Sequence, residues 1–118
     1  MRQTVRIAVA TKGHGQIDLH FGHADAFEVY DIDPEGRISH IGQRQVEHYC
    51  QGGFGDEDKR EVIIRALADC QGLLVAKIGD GPKNRLAAAG IEASDDFAYG
   101  ATDEGLRGWF ATLQTRTV

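Results

Sequence analysis

The chain has 118 residues, 42% of them hydrophobic and 26% charged, with a formal net charge of −5. This is the size and balance of one domain over residues 1–118, able to bury a core without disulfides or a structural metal. The acidic balance and scattered basic residues argue against nucleic acid, whose binding needs clustered Lys and Arg to displace counterions. No apolar run approaches the ~18 residues of a membrane span, and "MRQTVRIAVAT" has no signal-peptide pattern. A cytoplasmic protein with Cys50 and Cys70 reduced is expected.

Val5–Thr11 is predicted as a strand, with Val5, Ile7 and Val9 on one face and Arg6, Ala8 and Ala10 on the other. A loop follows, "KGHGQIDLHFGHA" (Lys12–Ala24). Phe27–Asp33 and Arg37–Arg44 are predicted strands, joined by the turn "DPEG" with Pro34 at its second position. The next segment, "EHYCQGGFGDED" (Glu47–Asp58), has no periodicity over twelve residues, a length that in a small domain points to a functional loop.

Asp58–Gln71 is predicted helical: Val62, Ile63, Ala66, Leu67 and Cys70 form one stripe, and Asp58 with Glu61 resembles a capping box. The apolar run Gly72–Ile78 is expected to be a parallel strand covered on both faces. "GDGPKNRLAAAG" predicts a short helix with Pro82 at its first position and Gly90 past its end. Ile91–Ser94 is expected as a last short strand. Leu106, Trp109, Phe110 and Leu113 mark a final amphipathic helix that Gly105 and Gly108 weaken. The order β-β-β-α-β-α-β-α predicts an α/β fold: a mixed five-stranded sheet, its first three strands antiparallel, then βαβ units, with helices on both faces. The ribonuclease H-like topology has this order.

In such sheets ligands gather beyond the carboxyl ends of parallel strands. If Val5–Thr11 and Gly72–Ile78 are parallel neighbours, the histidine loop and "IGDGP" open at one edge. A site there would combine His20 and His23 with Lys12, Lys77 and the free amides of a helix start around Gly81–Lys83, which favour an anion. His48 and Cys50 project to the same side if their segment is extended, and imidazole with thiolate suits zinc or iron–sulfur species.

Plainer readings stand beside these. His20 and His23 flank Gly22 in a turn and could be structural or solvated; His20 is favoured because Phe21 can bury as an anchor, whereas His23 could cap the next strand. Cys50 could be a small buried hydrophobe, Cys70 fits core packing, His40 is expected to be structural and His14 exposed. Asp18, Asp31 and Asp33 raise a two-metal nuclease, but the first strand offers no acid for one. No Ser/His/Asp or Cys/His nucleophile motif is present, and "GHG" and "GDGPK" are too short for a Walker loop.

"RIAVATKGHGQIDLHFGHADAFEVYDID", "HYCQGGFGDEDKREVIIRALADCQGLLVAKIGDGPKNRLAAAGIEA" and the closing "WF" resemble the dinitrogenase iron–molybdenum cofactor biosynthesis family. Within it, the chain is similar to the NifX-like domain that also forms the C-terminal part of NifB. The likeness runs from about Arg6 to Phe110, and "HFGHA", "HYCQGG" and "LVAKIG…PK..LAAAGIE" together are specific. The resemblance implies a ribonuclease H-like fold without nuclease activity that binds and hands over iron–sulfur precursors of the nitrogenase cofactor, with or without molybdenum. By that resemblance His20 and His23 of "HFGHA" and His48 and Cys50 of "HYCQGG" become the candidate cluster ligands; the strand-end reading adds Lys12 or Lys77 and the amides near Gly81 to offset the cargo's charge.

The radical-SAM domain and cysteine triad of full-length NifB have no counterpart in this sequence, so a carrier that is not an enzyme is expected. Its expected partners are nitrogenase-cofactor assembly proteins, and its expected state is a monomer or weak homodimer. The rival readings are a mononuclear, zinc-like metal site and a protein-interaction module that docks on a larger assembly enzyme.

Overall fold

The computed structural model describes residues 4–12, 15–21, 26–45 and 59–116. Five strands, β1 (Val5–Ala10), β2 (Ala26–Ile32), β3 (Ile38–Gln45), β4 (Gly72–Leu74) and β5 (Glu92–Ser94), form one sheet in the order β3-β2-β1-β4-β5. β1 runs antiparallel to β2 and parallel to β4; β2 is antiparallel to β3, and β4 parallel to β5. This is the mixed, ribonuclease H-like sheet expected from the element order. Three helices complete the chain: α1 (Lys59–Ala66), α2 (Asp80–Ala88) and α3 (Thr102–Arg116).

β1 is the central strand, and its alternation explains both layers. Ala8 and Ala10 point to the face where Val62, Ile63 and Leu67 pack with Phe27, Val29, Leu73 and Leu86. Small side chains there let α1 approach the sheet closely. Ile7 and Val9 point to the other face and meet Ile17, Leu74, Leu106 and Trp109. β4 serves both layers in the same way, with Leu73 on one side and Leu74 on the other.

Several boundaries differ from the sequence expectation, each for a local reason. α1 stops at Ala66, and Leu67–Asp69 turn so that Cys70 still reaches the core; Asp58, in the expected capping box, lies outside the described residues. α2 begins at Asp80, so Pro82 is its third residue rather than its first, behind a Gly79 cap that makes no side-chain hydrogen bond. α3 begins at Thr102 and takes in both glycines without interruption. They are contact points rather than weak spots. A Cβ on Gly105 would collide with Ile17, and one on Gly108 would lie 2.5 Å from Phe97. Absence of a side chain lets α3 press onto the loop beyond β1 and the turn beyond β5. Among the described residues no helix is long and apolar enough to cross a membrane.

Candidate functional site at the carboxyl rim of the sheet

The site is built where β1 and β4 end. β1 stops at Ala10, one residue before the predicted end, and the Lys12 N–H donates to Asp18 Oδ1 at 2.8 Å, closing the loop. The returning segment then takes β1's place beside the extension of β4. The Leu19 N–H donates to Ala10 O (3.3 Å), the Ala76 N–H to Leu19 O (2.8 Å) and the Phe21 N–H to Lys77 O (2.9 Å). His20 and Lys77 therefore form a parallel bridge. This exchange of partner explains why β4 itself is only three residues long although the apolar run continues from Gly72 to Ala76. Phe21 is buried, as the anchoring role requires.

The same loop is held on its other side by the turn after β5. The Tyr99 N–H donates to Ile17 O (2.7 Å), the Ile17 N–H to Gly100 O (3.0 Å) and the Thr102 N–H to Gly15 O (2.8 Å). These bonds bring Tyr99 to His20, whose Nε2 lies 2.9 Å from the phenolic oxygen. Tyr99 has φ 65°, the one left-handed non-glycine residue among those described. That conformation costs roughly 1–2 kcal/mol relative to the right-handed region.

The chain is matched over residues 3–112 by the family model described as dinitrogenase iron-molybdenum cofactor. The chain belongs to that family. It is 49% identical over 107 residues to the FeMo cofactor biosynthesis protein NifB of Bradyrhizobium diazoefficiens, covering 91% of this chain and 21% of that protein. It is 40% identical over 105 residues to NifB of Azotobacter vinelandii, covering 86% of this chain and 21% of that one. The chain thus spans about a fifth of the length of the curated relatives it matches. The crystal structure of PH0822 superposes with a TM-score of 0.62 at 19% identity, covering 92% of each chain, a likeness of fold alone.

Of the residues that the sequence nominated, the rim brings His20 and Lys77 together and places Lys12 at the end of β1. Gly81 is the second residue of α2, whose start follows three residues after Lys77. The rim is less cationic than expected. Lys12 and Lys77 share it with Asp18, and Asp80 occupies the first turn of α2. An acid there complements the helix dipole and competes with an incoming anion. His23, His48, Cys50 and His14 lie outside the described residues. Among those described, no three His, Cys, Asp or Glu side chains are grouped to hold a metal ion. Tyr99 is the site residue that sequence reasoning missed: "DDFAYGA" carries no periodicity, and only a turn next to Gly100 could have flagged it.

The acids considered for nuclease chemistry have structural occupations. Asp31 accepts from Arg6 Nε (2.8 Å) and Nη2 (3.1 Å) across the β1–β2 pair. Arg6 Nη1 also donates to Asp69 (2.7 Å), which accepts from Arg44 on β3, and Arg44 Nη1 caps the Ala66 carbonyl at the end of α1 (2.9 Å). The Arg44 and Arg6 hydrogen bonds hold the Asp69 carboxyl far below the usual range and raise both guanidinium groups above theirs. Asp33 accepts the Glu35 and Arg37 N–H groups and Arg37 Nε, which form the β2–β3 turn and lower its pKa. His40 pairs with Glu28 (2.6 Å) on the sheet surface, the structural role expected of it. Cys70 is buried and its thiol is pushed up to about 11, chiefly by desolvation, so it is an inert packing residue.

Proposed function

We propose that this domain carries an iron–sulfur precursor during iron–molybdenum cofactor assembly, binding and releasing it without making or breaking bonds of its own. The observation that supports this reading best is His20. It lies in "HFGHA", beyond the carboxyl ends of two parallel strands, in a family whose curated relatives are named FeMo cofactor biosynthesis proteins. His20 is the principal ligand, with His23, His48 and Cys50 as its partners. Lys12, Lys77 and the amides at the start of α2 offset the negative charge of the cargo. Imidazole is a suitable handle because a carrier must let go, and four thiolates would grip an iron–sulfur cluster too firmly. The donor and acceptor are other proteins of cofactor assembly, in a cytoplasm that keeps thiols reduced.

Reconstitution without oxygen, using ferrous iron and sulfide, tests the reading. The wild-type protein takes up both elements and gains sulfide-to-iron absorption, and His20→Ala takes up about tenfold less at limiting iron. Equal uptake by His20→Ala removes this ligand. One colourless ion held without sulfide replaces the carrier with the mononuclear metal site.

A further inference from the structure

We propose that the edge strand β3 is a dimer interface: two copies of this chain pair antiparallel along β3, about a two-fold axis between Ile41 and Gly42.

The sheet has two edges, and they are finished differently. β5 is three residues long, and Ala93 at its middle is only 3% exposed. β3 is eight residues long and exposed along most of its length. Its sequence, "ISHIGQRQ", lacks the proline and lysine that commonly guard an edge. Its one arginine, Arg44, is turned inward to Asp69. Ile41 is 44% exposed, one of two large hydrophobic side chains so placed among the described residues.

The backbone pattern sets the register. The Asp33 N–H donates to Arg37 O at 3.0 Å, and β2 alternates from there, bonding β3 through Asp31, Val29 and Phe27. The β3 residues facing these are Ser39, Gly42 and Arg44. Ile38, His40, Gln43 and Gln45 therefore turn their N–H and C=O groups away from the sheet. None of the four has a backbone partner there among the described residues. Their spacing is uneven, with an extra residue between His40 and Gln43, because Ile41 is bulged out of register with β2. A regular strand cannot match that spacing. A second β3 running the opposite way can, since it carries the same interruption at its own centre. Ile38 then meets Gln45 of the partner subunit, and His40 meets Gln43 of the partner subunit, each contact occurring twice by symmetry. Every such pair exchanges two hydrogen bonds.

The side chains agree with this register. Ile41 of each copy comes opposite Gly42 of the other. Gly42 has φ 150° and open space where a Cβ would stand, with no atom within 4 Å. The exposed isoleucine is thus covered at the one position of the strand that leaves room for it. Charge is compatible as well. Arg44 comes opposite the partner subunit's Ser39, and no like charges face each other across the pair. β3 runs parallel to β1, because both are antiparallel to β2. The two-fold axis therefore sends the two carboxyl rims to opposite edges of the joined sheet, and each copy keeps its rim open.

Sedimentation equilibrium of the 118-residue protein reads the assembly. Wild type is a dimer at about 200 μM and a monomer near ~1 μM, since a paired edge is a small interface. Ile41→Glu and Ile41→Lys each set like charges across the axis and raise the dissociation constant at least about tenfold. Both melt as wild type does in dilute solution, because the replaced side chain is exposed in the monomer. Mixed in equal amounts, the two variants pair again. Amide exchange reads the register: on concentrating wild type, the His40 and Gln43 amides slow about tenfold, whereas those of Ser39 and Arg44, bonded to β2, are protected at every concentration. A monomer at the higher concentration overturns the proposal. So does a dimer that survives in both variants, or one in which His40 and Gln43 exchange regardless of concentration, because the contact then lies on another face. Variants that separate but do not pair on mixing overturn the two-fold axis at Ile41.

Discussion

At the start of β1, Arg6 pairs with Asp31 and shares Asp69 with Arg44, in a network that ties three strands to the end of α1. Beyond the far end of the same strand, His20 meets Tyr99 in a loop shaped by backbone hydrogen bonds. The first arrangement matches each charge with an opposite charge of this chain, and its product is architecture. The second is held by backbone hydrogen bonds and keeps one non-glycine residue in a left-handed conformation. Both ends are polar and both contain sequence-conspicuous residues, so residue type alone does not separate them. What separates them is how each is held, by ion pairs at one end and by backbone hydrogen bonds between loops at the other.

The largest effect expected at the architectural end comes from Gly72, which pairs with Ile7. A Cβ there would lie 2.6 Å from the Trp109 ring, so Gly72→Ala forces the indole or α3 to move. Overpacking of this kind costs about 2 kcal/mol, read as a lower urea midpoint. Uptake of iron and sulfide, the readout of the proposed carrier role, is expected to be unchanged in the molecules that remain folded. An unchanged midpoint means that α3 yields freely, and a parallel loss of binding means that the two ends of β1 are not separable.

Asp69→Ala comes next. With 45% of the Asp69 side chain and 30% of that of Arg44 exposed, solvent screens much of the attraction. The expected loss is about 1 kcal/mol, smaller at high salt, and less than additive with Arg44→Ala. The sign of the pH dependence follows from the direction of the shift. Asp69 titrates below its ordinary value of 3.8 in the fold, so its contribution is complete above that value. It is lost as the pH falls through the folded-state value. Acid melts of wild type and Asp69→Ala should therefore converge at low pH and separate at neutrality. Cys70 supplies a smaller test of the same end. In a Cys50→Ser background, iodoacetamide at pH ~8 should leave native Cys70 unlabelled and label it in urea, because burial raises its thiol to about 11.

The sequence was most legible where periodicity and burial coincide. The order of all eight elements, the two-faced packing of β1 and the buried roles of Phe21 and Cys70 follow from patterns of apolar residues. It was less legible where long-range pairing decides. Gly72–Ile78 has no internal signal that its hydrogen-bond partner changes from β1 to Leu19–Phe21 after Leu74. Gly105 and Gly108 look like helix weaknesses until Ile17 and Phe97 are found against them. The candidate site was half visible. His20 stood out by motif, and its edge of the sheet by strand order. Tyr99, 79 positions away, could be placed beside it only by the fold.

The smallest expected effect is the most informative about the rim. Asp18 does two things: its Oδ1 accepts the Lys12 N–H, and its charge faces the same edge that should welcome an anionic cargo. Two substitutions divide them. Asp18→Asn keeps an acceptor oxygen for Lys12 and removes the charge, so the loop should hold and an anionic iron–sulfur cargo should bind a few-fold more tightly, an advantage that fades with salt. Asp18→Ala removes both, so the Lys12 amide should exchange faster, at a cost of about 0.5–1 kcal/mol. In that variant the gain from lost repulsion is offset by a looser His20 loop. If the two variants bind alike, the hydrogen bond to Lys12 is dispensable for holding the His20 loop, and the bonds from Ile17 to Tyr99 and Gly100 suffice. If Asp18→Asn weakens cargo binding, the rim is reading a cation, and the case for an anionic cluster gives way to a bare metal ion.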